Sequence, residues 1–192
     1  MRGLRNFWKR GNRGRTMTAL AAGTKAPEFE LKGMDGQRFS LGEALAGGPV
    51  LLAFFKVGCP TCQYTFPFLE RLYRSYQGYH QGSQSQASAQ KISLLGISQN
   101  EAPKTAEFIS EFGVTFPVLL DDRDSYPVSN AYGLTNVPTL FWITQDGEIE
   151  LSSVGWVKAD FEAINRRMAE AGKAAPVVVF KPGEDVREFR AG

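Results

Sequence analysis

Residues 50–62 read VLLAFFKVGCPTC and join an apolar run to the only two cysteines of this 192-residue chain. The run 50–55 is too short to cross a membrane, and its composition is typical of a buried parallel strand. Residues 56–58 then form a turn. Downstream, apolar residues recur at the three- and four-residue spacing of an amphipathic helix, at Phe66, Leu69, Leu72, Tyr73 and Tyr76. The pattern predicts that Cys59 lies at the N-terminus of a helix.

A cysteine in that position favours redox chemistry. Free backbone N–H groups and the positive end of the helix dipole stabilise a thiolate, which is the form that attacks disulfides. Cys62 follows Cys59 by three residues, one turn deeper in the helix, and can attack the Cys59 sulfur to release a mixed disulfide. The two cysteines therefore suffice for a complete thiol–disulfide cycle.

Two other interpretations of the cysteine pair stay open from the residues alone. The cysteines can be inert core residues, or half of a zinc site, which normally has four ligands. The chain offers one histidine, His80, in a polar stretch where solvation accounts for it, so a zinc site would have to be shared between two chains. Three aspartates within residues 121–124 are interpreted as a solvated loop and not as a metal site. We expect no metal and no organic cofactor.

Basic charge is concentrated in the first sixteen residues. The chain has a net charge of +2 and 43% hydrophobic residues, enough for the core of one domain. Six of the 22 basic residues and no acidic residue lie within residues 1–16, which leaves 16 basic and 20 acidic residues in the remainder. We interpret residues 1–24 as a solvated, disordered arm and not as a segment that binds nucleic acid. Met17 is an alternative start of translation.

The sequence predicts a cytoplasmic protein without a transmembrane segment. An export signal needs an apolar region of about 7–15 residues after its basic start. Only the short apolar run 19–22 follows the basic residues here.

The remaining chain alternates between predicted strands and helices. Asp35-Gly36 and Asp146-Gly147 mark two hairpins, the second joining strands 139–143 and 148–154. Between the hairpins we predict a polar surface loop at 77–86, a strand at 92–97, a helix at 103–111 and a strand at 116–120. A final helix spans 159–170. The order predicts an α/β sandwich of three layers, with a mixed central sheet and helices on both faces.

Residues 25–171 resemble the thioredoxin fold, and more closely the TlpA-like and alkyl hydroperoxide reductase-like branch of the redoxins. The resemblance rests on the apolar strand, the Cys59-Pro60-Thr61-Cys62 motif, Pro67 inside the following helix, and the segment 137–139, which reads Val-Pro-Thr before a late strand. It implies a thioredoxin-like domain at 25–172 with a polar insertion near 77–90, followed by a C-terminal extension at 173–192. We expect this extension to pack along the domain.

The resemblance also implies roles for particular residues. Pro138 corresponds to the cis-proline that faces the two sulfurs, and Val137 before it exposes its backbone and an apolar surface to substrate. Pro60 and Thr61 influence the reduction potential through local N–H contacts. Lys56 is a candidate for electrostatic stabilisation of the thiolate, although it is equally well a surface lysine.

Some positions depart from the family pattern. Gly58 stands where many relatives have tryptophan, and Ala53 stands where thioredoxin has a buried aspartate. TlpA-like proteins often use a glutamate after the next strand as a proton acceptor. Glu101 is the candidate here, with Asn100 as close in register or closer.

The resemblance implies a thiol–disulfide oxidoreductase, with Cys59 as nucleophile and Cys62 as resolving thiol. Its partners would be a disulfide-containing protein or small thiol substrate and an external reductant, and the chain would be a monomer or weak dimer. A peroxiredoxin-like thiol peroxidase is the first alternative, because a stabilised thiolate also reacts with peroxide. However, the Pro-x-x-x-Thr-x-x-Cys motif of peroxiredoxins is absent, since Phe55 and Cys59 occupy its first two positions when it is aligned on Cys62. The second alternative is a binding module without turnover.

Overall fold

The computed structural model of the chain describes residues 18–82 and 90–192, and for residues 77–82 it describes the backbone only. Ten strands occur in the described residues: β1 (Thr24–Lys25), β2 (Glu30–Gly33), β3 (Arg38–Ser40), β4 (Val50–Phe55), β5 (Ser93–Ser98), β6 (Val118–Leu120), β7 (Thr139–Ile143), β8 (Glu148–Val154), β9 (Trp156–Val157) and β10 (Phe189–Arg190). The described helices are α1 (Leu41–Gly47), α2 (Pro60–Gly82), α3 (Ala102–Phe112), α4 (Pro127–Ala131) and α5 (Lys158–Ala171).

The central sheet is mixed and has the strand order β1-β8-β7-β4-β5-β6-β2-β3. Strand β4 is parallel to β5, and β5 is parallel to β6. The other neighbours pair antiparallel. The strand that leads to the cysteines therefore lies in the middle of the sheet, paired on both edges.

Alternate residues of β4 point to opposite faces of the sheet, as the strand repeat requires. Leu51, Ala53 and Phe55 belong to one apolar cluster, with side chains from α2, α3 and α5. Leu52 and Phe54 belong to a second cluster, with side chains from α1 and α4. This arrangement confirms the predicted three-layer α/β sandwich.

Most predicted elements are present, and both hairpins turn at the predicted glycines, Gly36 and Gly147, each with φ of 83°. The loop predicted over 77–86 is wrong for residues 77–82, whose backbone continues α2. The turn of α2 that precedes residue 77 is held to α5, because the Tyr76 hydroxyl donates to Oδ1 of Asn165 at 2.7 Å. Residues 83–86 lie outside the described residues.

The predicted disordered arm is ordered in its described part, residues 18–24. Leu20 N–H donates to the Tyr132 carbonyl, and Thr24 pairs with Ile149 in β8. The short strand β1 thus covers one edge of the sheet. Residues 1–17, with the basic cluster, lie outside the described residues.

Residues 173–192, the C-terminal extension, pack along the domain as predicted. Asn165 donates from Nδ2 to the Val177 carbonyl at 2.8 Å, and Phe180 contacts the rings of Phe68 and Trp156. Further along, Arg71 of α2 forms a two-pronged ion pair with Glu184, with both N–O distances 2.7 Å. The extension is therefore fixed to α2 and α5 before it reaches β9.

Candidate active site

The cysteine motif lies where β4, a central strand of the sheet, ends and α2 begins. Phe55 is the last residue of β4, and α2 starts at Pro60. Cys59 is half-buried immediately before the helix, whereas Cys62 is fully buried in its first turn. Both thiols are free in the described state. Of the two sulfurs, only that of Cys59 is therefore open to a partner molecule.

The turn before Cys59 is fixed by side chains from two other segments. Asn100, just after β5, accepts the Val57 N–H on its Oδ1 at 2.9 Å. Gln63 donates from Nε2 to the Val57 carbonyl at 3.0 Å. The peptide groups on both sides of Val57 are thus held. Asn100 therefore positions the turn before Cys59. This role differs from the proton-accepting role that the family resemblance suggests for Glu101 or Asn100.

The Cys59 sulfur has one backbone donor and one backbone acceptor. The Cys62 N–H donates to Cys59 Sγ at 3.4 Å, and the Cys59 thiol donates to the Val137 carbonyl at 3.2 Å. The first contact comes from a free N–H group of the helix N-terminus and favours negative charge on sulfur. The hydrogen bond to the Val137 carbonyl needs the proton of the Cys59 thiol, so it is present only when Cys59 is a thiol.

The loop before β7 faces Cys59, and its peptide bond between Val137 and Pro138 is cis. This agrees with the expectation drawn from the family resemblance. Val137 is half-buried, whereas the Pro138 side chain is buried. Of the two residues predicted to contact substrate, only Val137 therefore offers appreciable surface.

Burial raises the pKa of the Cys62 thiol well above its ordinary value. The neighbouring Cys59 acts in the same direction, and a backbone hydrogen bond from Lys56 acts against it. Cys62 is therefore a thiol at neutral pH and must lose its proton before it can attack.

The other predicted residues of the motif and its turn differ in exposure. Pro60 is exposed, but Thr61 is only 4% exposed and donates from its hydroxyl to the Ala191 carbonyl at 2.6 Å. Lys56 is exposed, with its ammonium 5.4 Å from the centre of the Tyr126 ring. The structure thus places Lys56 against an aromatic ring, and Thr61 against the C-terminal extension.

The carboxylate of Glu101 does not contact either cysteine. It forms ion pairs with Arg123 at 2.8 Å and with Lys104 at 3.5 Å. Ala53, where thioredoxin has an aspartate, is fully buried in the apolar cluster beneath α2. Nothing in the described geometry makes either position a proton acceptor for Cys62.

One of the acidic residues predicted to be solvated is buried. Asp121 is 3% exposed, and its Oδ2 accepts the backbone N–H and the hydroxyl of Ser129 at 2.8 and 2.7 Å. The adjacent Asp122 binds Ser125, which holds the pKa of its carboxyl below the usual range. Both side chains organise the start of α4. Across the described residues, no group of three or more His, Cys, Asp or Glu side chains is placed to hold a metal ion, and the His80 side chain lies outside that set.

A polar cavity of about 180 Å³ adjoins Val137. Its lining includes Lys56, Gln99, Tyr126 and Asn136. It therefore lies between the turn before Cys59 and the loop that carries the cis bond.

Three structural contributions were missed by the sequence reasoning. Asn100 and Gln63 have no spacing signal that links them to Val57, and Thr61 meets Ala191 across 130 residues. A motif describes residues that are close in sequence, whereas these contacts depend on the tertiary fold.

Within the part of the chain that is described, no helix has the length and apolar content needed to cross a lipid bilayer.

Comparison with known proteins gives a consistent result. A family model described as Redoxin matches residues 21–166. The thiol-disulfide oxidoreductase ResA of Geobacillus thermodenitrificans is 32% identical over 134 residues, which cover 69% of this chain and 69% of ResA. ResA of Geobacillus kaustophilus is 31% identical over 147 residues, 76% of each chain. Among solved structures, a putative thiol:disulfide interchange protein DsbE from Chlorobium tepidum superimposes with a TM-score of 0.65 at 25% identity, over 80% of this chain and 99% of that one.

Proposed function

The chain belongs to the redoxin family and is a thiol–disulfide oxidoreductase, and we propose that Cys59 is its nucleophile and Cys62 its resolving thiol. The observation that carries this assignment is the difference in exposure between the two sulfurs. Cys59 is half-buried and receives the Cys62 N–H, while Cys62 is fully buried one turn below it. A substrate disulfide can reach the first sulfur but not the second.

The reaction runs in two exchanges. The Cys59 thiolate attacks one sulfur of the substrate disulfide, so a bond forms to Cys59 and the second substrate sulfur leaves as a thiolate. The Cys62 thiolate then attacks Cys59 Sγ, which breaks the mixed disulfide and releases the first substrate sulfur. Two electrons pass from the cysteine pair to the substrate, and an external dithiol must reduce the Cys59–Cys62 disulfide before the next turnover.

The proton on Cys62 needs an acceptor, because burial raises the pKa of this thiol. Glu101 was a candidate acceptor, with Asn100 as close in register or closer, but the Glu101 carboxylate is paired with Arg123 and Lys104. We propose instead that the substrate thiolate released in the first exchange takes this proton. It is formed beside the site at the moment when the acceptor is required, and the proton count then balances without another residue.

Val137 is proposed to contact substrate through its backbone and its exposed side-chain surface. Its carbonyl already lies 3.2 Å from Cys59 Sγ, so a chain segment bound there would present its disulfide to the nucleophile. Pro138 shapes this loop from a buried position. Lys56 is held near Tyr126 and contributes positive charge to the rim of the polar cavity. Pro60 and Thr61 tune the reduction potential through the first turn of α2.

The substrate class is proposed to be disulfides of proteins or of small thiols, with an external thiol reductant and a cytoplasmic location. The location is tested by fractionating cells and by measuring how much of Cys59 is oxidised in each fraction.

Paired turnover assays on the purified protein test the function. Insulin disulfide reduction and hydrogen peroxide consumption are measured with the same dithiol reductant. We expect insulin reduction to exceed the reductant-only rate, and peroxide consumption to stay near it. Fast peroxide consumption that needs Cys59 would transfer the protein to the peroxidase class.

Two serine variants then separate the roles of the cysteines. Cys59→Ser should reduce insulin turnover to the reductant-only rate. Cys62→Ser should accumulate a covalent adduct between Cys59 and substrate, visible by mass spectrometry and removed by excess dithiol, because release needs the second thiol. Normal turnover by Cys62→Ser would show that the resolving role is wrong.

A further inference from the structure

The last six residues of the described chain, 187–192, form a strap across the end of the molecule that carries the cysteines. Strand β10 within the strap pairs antiparallel with β9. Trp156 donates from Nε1 to the Arg187 carbonyl at 2.6 Å, and Lys158 N–H donates to the Glu188 carbonyl at 3.0 Å. The beginning of the strap is therefore fixed by backbone and side-chain bonds to the segment around β9.

The end of the strap contacts both parts of the active site. The Ala191 carbonyl accepts the hydroxyl of Thr61, the residue next to Cys62 in the motif. The Gly192 carbonyl accepts from Nδ2 of Asn136 at 3.2 Å. A Cβ atom built on Gly192 would lie 2.6 Å from the Val137 carbonyl oxygen. The strap thus joins the first turn of α2 to the loop before the cis bond.

The fold contains a specific adaptation to this close approach. Gly155, immediately before β9, has φ of 77°, and a Cβ there would lie 2.7 Å from the Arg190 carbonyl oxygen. Its own N–H donates to the Pro138 carbonyl at 2.8 Å. A side chain at position 155 would therefore displace the strap and strain the backbone at once.

The Val137 peptide is therefore contacted from two sides. Its carbonyl accepts the Cys59 thiol, and Gly192 packs against the same carbonyl oxygen. The polar cavity beside Val137 has no strap residue in its lining. The strap consequently covers the flank of the site next to Thr61 and leaves the flank next to Lys56 free.

We propose that the strap determines which disulfides reach Cys59: it admits small disulfides and restricts protein disulfides, whose extended segment competes with it for the flank beside Val137. This inference rests on the proposed function, because it concerns the choice of substrate for that same pair of cysteines.

The attachment of the strap is suited to exchange with a substrate segment. Its pairing with β9 spans two residues on each strand, and a two-stranded ribbon of that size is only marginally stable in water. Phe189 is 64% exposed, and Ala191 and Gly192 are exposed. Few apolar contacts therefore oppose release of its end. When a site is open for only a fraction of the time, the apparent affinity for its ligand is the intrinsic affinity multiplied by that fraction.

The first test compares the full chain with a chain shortened after Glu188. This shortened chain keeps the carbonyl contacts of Arg187 and Glu188 and loses β10, Ala191 and Gly192. We expect its kcat/KM for insulin to rise by about tenfold, since the site is then always open. Its kcat/KM for oxidised glutathione should change by less than about twofold, because a small disulfide needs little of the flank.

A pair of full-length variants removes the concern that shortening disturbs the fold. Gly192→Leu adds a side chain where no space exists beside the Val137 carbonyl, so the end of the strap must move away. Ala191→Leu adds the same side chain at an exposed position and serves as the matched control. We expect only Gly192→Leu to raise the insulin rate relative to the glutathione rate.

Alkylation of Cys59 tests the strap independently of turnover. Cys62 is fully buried, so a single adduct by mass reports on Cys59. Iodoacetamide should react at equal rates with the full and the shortened chains, whereas a maleimide carried on a polyethylene glycol chain should react faster with the shortened one. If the full chain reduced neither insulin nor glutathione, the proposed function would fail while this comparison would still test the strap.

Three results would overturn the inference. The first is equal changes in both kcat/KM values. The second is a shortened chain whose kcat/KM for both substrates and whose rate of reaction with the bulky maleimide equal those of the full chain. The third is a fall in insulin turnover for the shortened chain, which would make the strap part of the binding surface and not a competitor for it.

Discussion

The buried sulfur of Cys62 has opposite requirements in the two exchanges. While Cys59 attacks, Cys62 must stay protonated and unreactive, and its burial ensures this by raising the pKa of the thiol. In the second exchange Cys62 must ionise in the same apolar surroundings, within the buried cluster that also contains Phe66. The rate of release is therefore the step most sensitive to pH.

The first prediction concerns the pH dependence of that release. The reduced protein is mixed with an aromatic disulfide whose thiolate absorbs visible light, so that attack by Cys59 releases one equivalent and attack by Cys62 the second. In the mixed disulfide the sulfur of Cys59 carries no charge, but the burial of Cys62 remains. An aromatic thiolate is too weak a base to take the proton of Cys62, so with this substrate the proton must pass to solvent. We therefore expect the second release to accelerate by about tenfold per pH unit from pH 6 to 8, since the thiolate fraction of Cys62 grows in that proportion below the pKa of the thiol.

A Glu101→Gln variant is the control for this experiment. We expect the same pH profile, because the Glu101 carboxylate is occupied by Arg123 and Lys104. A profile that is flat in the wild type and steep in Glu101→Gln would show instead that Glu101 accepts the proton.

The second prediction compares two glycines that differ in backbone conformation. A Cβ at Gly58 or at Gly113 would meet no atom within 4 Å, but only Gly113 is left-handed, with φ of 61°. Gly58→Ala should raise the free energy of unfolding by about 0.4–1 kcal/mol, since it restricts the unfolded chain without native strain. Gly113→Ala should lower it by about 1–2 kcal/mol. Urea unfolding of both variants checks this, and a loss of stability in Gly58→Ala would show that the turn before Cys59 needs glycine.

At the scale of elements, α2 connects the cysteines to the C-terminal extension. Its first turn holds the strap through Thr61, and its middle holds the extension through Arg71. Arg71 binds both oxygens of Glu184 and also donates to the Val179 carbonyl at 2.8 Å. The extension therefore depends on α2 at two places about three turns apart.

The third prediction tests the Arg71 attachment. Its two-pronged hydrogen bond holds the pKa of the Glu184 carboxyl at about 2, so the carboxylate is charged at neutral pH. The attachment is present above the usual value of 4.5 and is lost as the pH falls through about 2. Glu184→Gln imitates the protonated acid, and we expect faster hydrogen exchange across residues 177–190 at pH 7. Asp185→Asn changes an exposed neighbouring carboxylate and should exchange like the wild type. Equal exchange in both variants would show that apolar packing alone holds the extension.

For the whole molecule, the sequence predicted what local patterns encode. The strand before Cys59, the helix after it and both Asp-Gly hairpins have periodic or turn signals, and they lie where predicted. Helices α1 and α4 have seven and five residues, too short to produce a clear apolar period, and were missed. The cis bond before Pro138 followed only from the family resemblance, since about 5–6% of bonds to proline are cis.

In the candidate site, too, the sequence predicted the features that local patterns encode and missed those that depend on the tertiary fold. Cys59 and Cys62 are three residues apart in the sequence, and their unequal exposure follows from a helix that begins at Pro60. The contact between Thr61 and Ala191 joins residues that no local pattern relates. Glu101 was assigned from its place after β5, but the nearby cations that pair with its side chain were not considered.

The fourth prediction concerns the stability of the reduced protein at alkaline pH. Burial raises the pKa of the Cys62 thiol above its usual value of 9.0, and burial together with the nearby Glu28 raises that of the Tyr132 phenol above 10.0. Both groups keep their protons in the folded state and lose them first in the unfolded state. Their contribution is therefore fully present below those usual values and declines as the pH rises, by up to about 1.4 kcal/mol per pH unit for each group.

Urea unfolding of the reduced protein between pH 8 and 11 measures this decline. Cys62→Ala should be less stable at pH 8, because it leaves a small cavity, but its stability should fall less steeply above pH 9. Tyr132→Phe should differ from the wild type in slope only above pH 10, and it loses the hydroxyl bond to the Pro27 carbonyl at every pH. If both variants declined in parallel with the wild type, the alkaline limb would belong to other groups, and the burial of Cys62 would not control its ionisation.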